Sequence, residues 1–312
     1  MHGLVVRNTG YSYTVEDDDT GNLYECKVKG NFRIKGIRTT NPVAIGDRVE
    51  FTPLKEENAG LITALEDRKN YIIRKSINLS KQSHIIAANI DQCFLIVTIQ
   101  QPETSLTFID RFLASAEAYR IPVVLVFNKI DILSDEWQEY LDGVVNLYET
   151  IGYKCHRISS VTGVGTEALR TELEGKITLL SGNSGVGKST LINKLFPKLN
   201  LKVGEISDAY GTGKHTTTFS EMYSISDHAY IIDTPGIKGF GTFDMTRGEI
   251  GHYFKEIFHY SAFCRFNNCT HTHEPHCAVL QAVADGRIAR SRYTSYLNML
   301  EDQDEEKYRT AY

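Results

Sequence analysis

A glycine-rich motif indicates the fold of this chain of 312 residues: Gly182-Asn183-Ser184-Gly185-Val186-Gly187-Lys188-Ser189-Thr190. It matches G-x-x-x-x-G-K-[ST], the pattern of a phosphate-binding loop. The apolar run 177–181 before it predicts a short buried strand, and 191–196 after it predicts the start of a helix. In this context backbone N–H groups turn toward a phosphate and the helix N-terminus adds positive partial charge. Lys188 is expected to reach the β- and γ-phosphates, and Ser189 to hold Mg²⁺.

A second motif, Asn128-Lys129-Ile130-Asp131, lies upstream of the loop and directly after the apolar run 122–127. Asn-Lys-x-Asp is the guanine-reading motif of GTPases. The Asp131 carboxylate can accept hydrogen bonds from the ring N–H and the exocyclic amine of guanine, a charge-assisted pair that adenine cannot form. Lys129 is expected to lie along the base, and Asn128 to brace the guanine edge. Beside a phosphate-binding loop, the motif favours GTP over ATP.

Three further segments complete the pattern of a GTPase. The loop that starts at Ser159-Ser160 follows the strand-like run 155–158 and is typical of a second guanine-contacting loop. Asp233-Thr234-Pro235-Gly236 is typical of a switch II element, in which Asp233 holds Mg²⁺ through water and the Gly236 N–H contacts the γ-phosphate. The segment 213–218, Gly-Lys-His-Thr-Thr-Thr, is placed as switch I, where a Thr hydroxyl can complete the Mg²⁺ shell.

The order of these motifs is unusual. In a Ras-like GTPase the phosphate loop and the switches precede the guanine loops, whereas here the guanine loops come first. The sequence therefore predicts a circularly permuted domain, which folding tolerates because domain termini tend to lie close together at the surface. Switch II then leads directly into the C-terminal segment, so the nucleotide state can act on whatever lies there.

That C-terminal segment carries the pattern Cys264-x4-Cys269-x-His271-x5-Cys277. Three thiolates and one imidazole form a Cys₃His set, which is typical of a structural zinc site. Four protein ligands leave no open position, so the site is expected to be structural and not catalytic. His273 and His276 are competing ligands at this stage.

Taken together, these residues and motifs resemble the RsgA family of circularly permuted GTPases, which act in assembly of the small ribosomal subunit. The resemblance covers nearly the whole chain. It implies an N-terminal OB-fold, a permuted GTPase domain and a C-terminal, mainly helical zinc domain. It also implies binding to the small subunit and its rRNA, stimulation of GTP hydrolysis by that subunit, and a role late in assembly.

The resemblance also bears on the chemistry of hydrolysis. Ile237 follows the switch II motif, where Ras-like enzymes place a Gln that orients the attacking water. Isoleucine cannot hydrogen-bond a water, so another polar group must substitute or hydrolysis must be slow. The family match points to His215 for this role and to Thr217 as the Mg²⁺ ligand. The residues themselves do not choose among Thr216, Thr217 and Thr218.

Composition agrees with a cytoplasmic protein that binds nucleic acid. The chain has 41% hydrophobic and 23% charged residues, which is ordinary for a soluble globular protein. No apolar run is long enough to span a membrane, and the N-terminus lacks a signal-peptide pattern. The net charge is −5, but residues 26–81 contain twelve Lys/Arg against six Asp/Glu, about +6.

Periodicity divides the chain into three domains. Short alternating runs at 4–7, 11–16, 23–29, 47–52 and 60–65 predict a small five-stranded β-barrel, an OB-fold by resemblance and an SH3-like barrel as the alternative. The predicted boundaries are a barrel at 1–70, a linker at 71–85, an α/β domain at 86–240 and a helical zinc-binding domain at 241–312. Helix-period apolar positions predict helices over 247–258 and 288–300.

The sequence thus predicts a monomeric GTP hydrolase that binds GTP and GDP, Mg²⁺ and one structural Zn²⁺, and whose partner is the small ribosomal subunit. The alternative is a GTP-gated switch with a non-ribosomal partner, such as a metal-handling GTPase. A closed four-ligand site argues against metal transfer, because delivery needs an exchangeable position.

Overall fold

A computed structural model of the chain describes residues 1–28, 42–54, 58–75, 83–199, 221–226, 228–233 and 245–309. The predicted switch I segment 213–218, with His215 and Thr217, lies outside the described residues, as does Gly236. Within the described part of the chain, no helix is both long and apolar enough to cross a membrane.

The N-terminal domain is a five-stranded barrel. Its strands are β1 (His2–Asn8), β2 (Tyr13–Asp17), β3 (Leu23–Val28), β4 (Arg48–Pro53) and β5 (Ala59–Leu65). They pair in the closed order β1-β2-β3-β5-β4-β1, in which only β3 and β5 run parallel. The interior is filled by alternate side chains such as Val5, Val15, Phe51 and Ile62, which accounts for the two-residue periodicity of the sequence. The predicted barrel is confirmed.

A short antiparallel ribbon follows the barrel. It consists of β6 (Tyr71–Lys75) and β7 (Ser83–Ala88), of which β6 lies within the predicted linker and β7 begins within it and ends beyond it. The end of β7 is tied to the barrel, because the Ala88 N–H donates to the Ile45 carbonyl at 2.8 Å. The segment therefore contains regular structure that the sequence pattern did not reveal. The boundary at 71–85 itself remains a prediction.

The central domain is built on six strands. These are β8 (Gln92–Thr98), β9 (Val123–Asn128), β10 (Lys154–Arg157), β11 (Ile177–Ser181), β12 (Glu221–Ser226) and β13 (Ala229–Asp233). Their spatial order is β10-β9-β8-β11-β13-β12, and every neighbouring pair is parallel except β12 and β13. The strand that precedes the phosphate-binding loop thus lies in the middle of the sheet, where its five residues are all buried.

Helices cover both faces of this sheet. They are α1 (Leu106–Ala118), α2 (Asp135–Ile151), α3 (Thr166–Leu173) and α4 (Lys188–Leu195). On one face, Phe112 of α1 and Leu141 of α2 share a buried core with Leu179 of β11. On the other face, Leu169 of α3 and Leu191 of α4 share a core with strand residues such as Phe94. The result is a mostly parallel sheet covered on both faces, as expected for the predicted α/β domain.

The barrel and the central sheet are continuous. β1 pairs antiparallel with β12, with Arg7 opposite Glu221, so that all eleven strands form one sheet. The Tyr230 hydroxyl on β13 donates to a Glu16 carboxylate oxygen on β2 at 3.0 Å, which adds a side-chain contact across the same boundary.

The C-terminal domain is helical. It contains a 3₁₀ turn (Ile250–Tyr253), α5 (Lys255–Ser261), α6 (Ala278–Ala284) and α7 (Arg290–Arg309). The single helix predicted over 247–258 is broken at Phe254, whose backbone is extended (φ −104°, ψ 102°). The Phe254 ring is fully buried and packs edge-on against Tyr296 at 5.7 Å between centroids. Burial of this ring in the domain core explains why a tertiary contact overrides the local helical pattern.

A buried ionic cluster fastens this domain to α1. Arg292 on α7 donates to Asp110 at 2.8 Å and to both carboxylate oxygens of Glu256 at 2.6 and 3.1 Å. Asp110 also accepts from the hydroxyls of Tyr148 and Ser295, at 2.8 and 2.6 Å. The Arg292 side chain is only 1% exposed, so these partners compensate the cost of burying its charge.

Candidate nucleotide and metal sites

The phosphate-binding loop connects β11 to α4, and its shape depends on glycine. Gly182, Gly185 and Gly187 have φ angles of 144°, 82° and 96°, a region that L-residues with side chains seldom adopt. A Cβ atom on Gly182 would lie 2.2 Å from the Ile96 carbonyl oxygen, and one on Gly187 would lie 2.4 Å from Nδ2 of Asn128. The motif glycines therefore allow both the turn and the close packing beneath it.

Lys188 begins α4 and folds back across the loop. Its Nζ donates to the carbonyl oxygens of Gly182 and Asn183, each at 2.8 Å. The ammonium group is thereby held inside the curve of the loop, at the N-terminus of a helix. Ser189, the next residue, is 9% exposed. This arrangement concentrates positive potential and the N–H groups of a helix N-terminus where a phosphate would bind.

Asn128 joins the phosphate-binding loop to the loop after β10. Its Nδ2 donates to the Val186 carbonyl at 2.8 Å, and its Oδ1 accepts from the Ser160 N–H at 3.0 Å and from the Ser160 hydroxyl at 2.9 Å. Asn128 and Ser160 are 3% and 4% exposed, so these bonds are shielded from water. Motifs that lie 32 and 58 residues apart in the chain are thus held together by one amide.

The rest of the Asn-Lys-Ile-Asp motif forms the rim of the same site. Lys129 has a left-handed backbone (φ 64°) and is followed by a 3₁₀ turn over Ile130–Ile132, on which Asp131 is exposed to solvent. The Lys129 ammonium donates to the carbonyl of Gln101. The Ile130 N–H donates to the Ile158 carbonyl at 3.3 Å, so the turn lies against the end of β10.

The loop after β10 is shaped by its own hydrogen bonds. The Ser159 hydroxyl accepts from the Thr162 N–H at 3.0 Å, and the Ser159 carbonyl accepts from the Gly163 N–H at 2.8 Å. Ser159 is fully buried, and its side chain stabilises the loop through this hydrogen bond. Because β9, β10 and β11 are parallel, all three loops lie at the carboxyl edge of the sheet, where ligands bind in such folds.

Asp233 is the last residue of β13, opposite Leu180 of β11, which places its backbone beside the start of the phosphate-binding loop. The structure therefore brings the predicted nucleotide residues of four segments to one edge, while Gly236 and the switch I residues lie outside its described part. The roles of these residues in binding remain predictions. Gln101 was not predicted, because nothing in its local sequence marks a backbone carbonyl as a partner of Lys129.

The four predicted metal ligands converge in the C-terminal domain. One ligand atom from each of Cys264, Cys269, His271 and Cys277 lies within 4.8 Å of all the others. The Sγ atoms of Cys264 and Cys277 are 3.8 Å apart, and they lie 3.6 and 3.4 Å from Nδ1 of His271. Metal–sulfur distances of about 2.3 Å in a tetrahedron give sulfur–sulfur separations of about 3.8 Å, so the spacing suits one tetrahedral ion.

A second layer of contacts positions these ligands. The Glu274 carboxylate accepts hydrogen bonds from the backbone N–H groups of Thr270, Thr272 and His273, at 2.6 to 3.2 Å. The hydroxyls of Tyr293 and Tyr296 donate to the carbonyls of His271 and Thr270, at 2.7 and 2.8 Å. The loop 264–277, here called the ligand loop, is thereby tied to α7. Hydrogen bonds of this kind orient the ligands in metal sites.

Burial governs the protonation of the cluster. Burial raises the pKa of the Cys269 thiol to about 12 and lowers the pKa of His271. A neutral imidazole is ready to coordinate, whereas the thiolates need the charge of a metal ion to form in these surroundings. Cys277 also caps α6, because its Sγ accepts from the Leu280 N–H at 3.4 Å. The two competing histidines, His273 and His276, are not in the cluster among the described residues.

Comparisons with known proteins agree along the whole chain. Residues 65–243 match the RsgA GTPase family and residues 2–62 match the RsgA N-terminal domain. Two relatives, "Small ribosomal subunit biogenesis GTPase RsgA 2" of Bacteroides thetaiotaomicron and "Small ribosomal subunit biogenesis GTPase RsgA" of Phocaeicola vulgatus, are 63% and 62% identical over 312 residues, with both chains of each pair fully covered.

Two crystal structures share the fold. "YjeQ from Thermotoga maritima" has a TM-score of 0.80 and 36% identity, over 96% of this chain and 97% of that one. "YloQ, a circularly permuted GTPase" has a TM-score of 0.78 and 28% identity, over 98% of this chain and 95% of that one. These likenesses include the barrel, the permuted sheet and the helical domain.

Proposed function

Since the chain belongs to the RsgA GTPase family, we propose that this GTP hydrolase is a late assembly factor of the small ribosomal subunit. The subunit and its rRNA are the partner, GTP favours the bound state, and contact with the subunit stimulates hydrolysis. The relatives that are 62% to 63% identical over their full length are named small ribosomal subunit biogenesis GTPases, which supports the small subunit as the partner. The protein acts as a monomer in the cytoplasm.

The observation that carries the nucleotide part of the proposal is the bridge formed by Asn128. A single buried side chain connects the phosphate-binding loop at Val186 with the second guanine loop at Ser160. Joining these two loops fixes the distance between the places where a base and its phosphates would bind. Asp131 reads the guanine edge in this proposal, and residues 182–190 with Lys188 bind the phosphates.

Magnesium enters with the nucleotide. We assign Ser189 and Thr217 as its protein ligands, with Asp233 acting through water. When bound, the ion neutralises charge that develops on the phosphates. His215 orients the attacking water in place of the missing switch II Gln. This assignment is supported by the hydrophobic Ile237 after Gly236 and by the family match at 213–218.

The metal of the C-terminal cluster is assigned as one structural Zn²⁺. The donor set of three thiolates and one imidazole is typical of structural zinc, and the spacing of its atoms suits tetrahedral coordination. All four positions are filled by protein, so no position is open for a substrate. The ion stabilises the fold of the ligand loop and α7.

The decisive experiment is GTP turnover with purified ribosomal subunits. We expect slow turnover by the free protein and faster turnover with small subunits, and no comparable stimulation by large subunits. A Lys188→Ala variant controls for contaminating hydrolases, because it should lose activity in every condition. Equal turnover with either subunit or without any would contradict the proposed partner while leaving the GTPase activity intact.

A further inference from the structure

An exposed aromatic pair lies on the first two turns of α2, outside the nucleotide site and the metal cluster. Trp137 and Tyr140 have 37% and 46% of their surface exposed, and their ring centroids are 5.6 Å apart with an interplanar angle of 82°. Trp137 is the single tryptophan of the chain. Large aromatic side chains on a surface are typical of contact sites.

The pair is held in place before any partner binds. Its residues are three apart on the helix and therefore neighbours on its surface. The helix itself is anchored by Leu141, Val144 and Val145, which are buried in the core of the sheet. Rings with few torsions on a rigid helix lose little conformational freedom on binding.

The helix that carries the pair has only negatively charged side chains of its own, and Arg157 from β10 pairs with one of them, Asp142, at 2.9 Å. Residues 131–150 contain six Asp/Glu and no Lys or Arg. Asp135 and Glu136 lie in the first turn of α2, where they complement the helix dipole. The dipole does not account for Glu139, which is exposed one turn further along, or for the aromatic pair. An acidic surface repels the phosphates of RNA and attracts cationic groups.

We propose that this α2 surface, formed by Trp137, Tyr140, Asp135, Glu136 and Glu139, docks a segment of a partner protein that is rich in Lys and Arg. The aromatic faces receive the cationic heads by cation–π contact, and the carboxylates pair with the same groups at the rim. This contact is additional to the proposed function of the protein and does not depend on it.

A nona-arginine peptide and the emission of Trp137 test the proposal directly. Because no other tryptophan is present, a saturable change in fluorescence on titration reports binding at this surface. We expect Glu136→Lys combined with Glu139→Lys to weaken binding by roughly tenfold or more. The matched control is Glu167→Lys combined with Glu174→Lys, which changes net charge equally at exposed positions on and next to α3 and should bind normally.

Tyr140→Ala provides a second variant if the charge reversals disturb folding, and it should also weaken the peptide severalfold. Basal GTP turnover should be unchanged in all these variants, since none alters a proposed nucleotide residue. An unchanged Trp137 emission, or equal weakening in the α3 control, would overturn the proposal. A response to a single-stranded RNA decamer in place of the peptide would assign the surface to RNA and also overturn it.

Discussion

At the scale of single residues, the site is organised by hydrogen bonds that connect distant motifs. Asn128 was predicted to brace the guanine edge, and the structure shows its amide bound to Val186 and Ser160. The sequence could identify the motif because its residue types are specific. It could not identify the bridge, because a partner 58 residues away leaves no local pattern.

Guanine specificity is tested at Asp131. The change Asp131→Asn replaces one acceptor oxygen by a donor that faces the exocyclic amine of guanine. We expect recognition to shift from GTP toward xanthine nucleotide, whose edge carries an acceptor at that position. Titrations with labelled GTP, ATP and XTP measure the shift. The prediction is wrong if the unchanged protein binds ATP as tightly as GTP.

His215 is tested by kinetics. If it orients the attacking water, His215→Ala should lower turnover by roughly 10²-fold, in the range for a positioned polar catalyst. The affinity for GTP should hardly change, because the contact matters mainly in the transition state. Thr217→Ala is the comparison variant, since it should weaken the dependence of binding on Mg²⁺. Normal turnover by His215→Ala, with and without small subunits, would remove the assignment.

Arg292 is tested by stability. The change Arg292→Met leaves Asp110 and Glu256 buried without their cation, which costs about 3–5 kcal/mol for such a pair. Thermal unfolding and hydrogen exchange over 245–309 should show the loss. Arg290→Met on the same helix is the matched control, because Arg290 is exposed and should have little effect. Similar behaviour of both variants would contradict a stabilising role for the cluster.

At the scale of elements, local periodicity predicted the strands correctly. It did not predict features that depend on contacts between residues far apart in the chain. The strand predicted over 177–181 is β11, and all five barrel strands lie within two residues of their predicted bounds. The break at Phe254 was missed, because it depends on a ring buried against Tyr296. The Arg292 cluster was missed for the same reason, since its partner Asp110 is 182 residues away.

The ligand loop gives a prediction at this scale. Cys269→Ser should abolish binding of the single Zn²⁺ and lower the melting temperature of the C-terminal domain, because site formation and folding are coupled. Elemental analysis and thermal unfolding measure both effects. Cys155→Ser removes a thiol outside the cluster and should keep the metal. Nucleotide binding should survive in both variants, and a metal-free native protein would refute the assignment.

At the scale of the whole molecule, charge is distributed unevenly between regions. The net charge of −5 conceals the stretch 26–81 at about +6. Reversal of Lys27, Lys29, Arg33 and Lys35 to Glu should weaken binding to small subunits and flatten its salt dependence, while free GTP turnover is kept. Of these four, Lys27 lies on β3 and the others lie outside the described residues. Co-sedimentation across a salt series is the measurement.

The same experiment tests gating. A non-hydrolysable GTP analogue should favour the pelleted state and GDP should favour release. By linkage, small subunits must then tighten the analogue relative to GDP by an equal factor, which an independent nucleotide titration can check. Equal pelleting with both nucleotides, insensitive to salt and to the charge reversals, would leave a GTPase without a ribosomal switch.

The permuted strand order also determines when each strand of the central sheet is synthesised relative to its neighbours. β8 and its neighbour β9 leave the ribosome early, but the central partner of β8, β11, begins only at residue 177. At translation speeds of about 5–20 residues per second, synthesis of the chain between β8 and β11 takes roughly 4–16 s. The apolar edge of β8 stays unpaired during this time. During that time the nascent chain carries half a sheet with an unpaired edge, which is prone to aggregation. The protein is therefore most exposed to aggregation during the synthesis of residues 99–177.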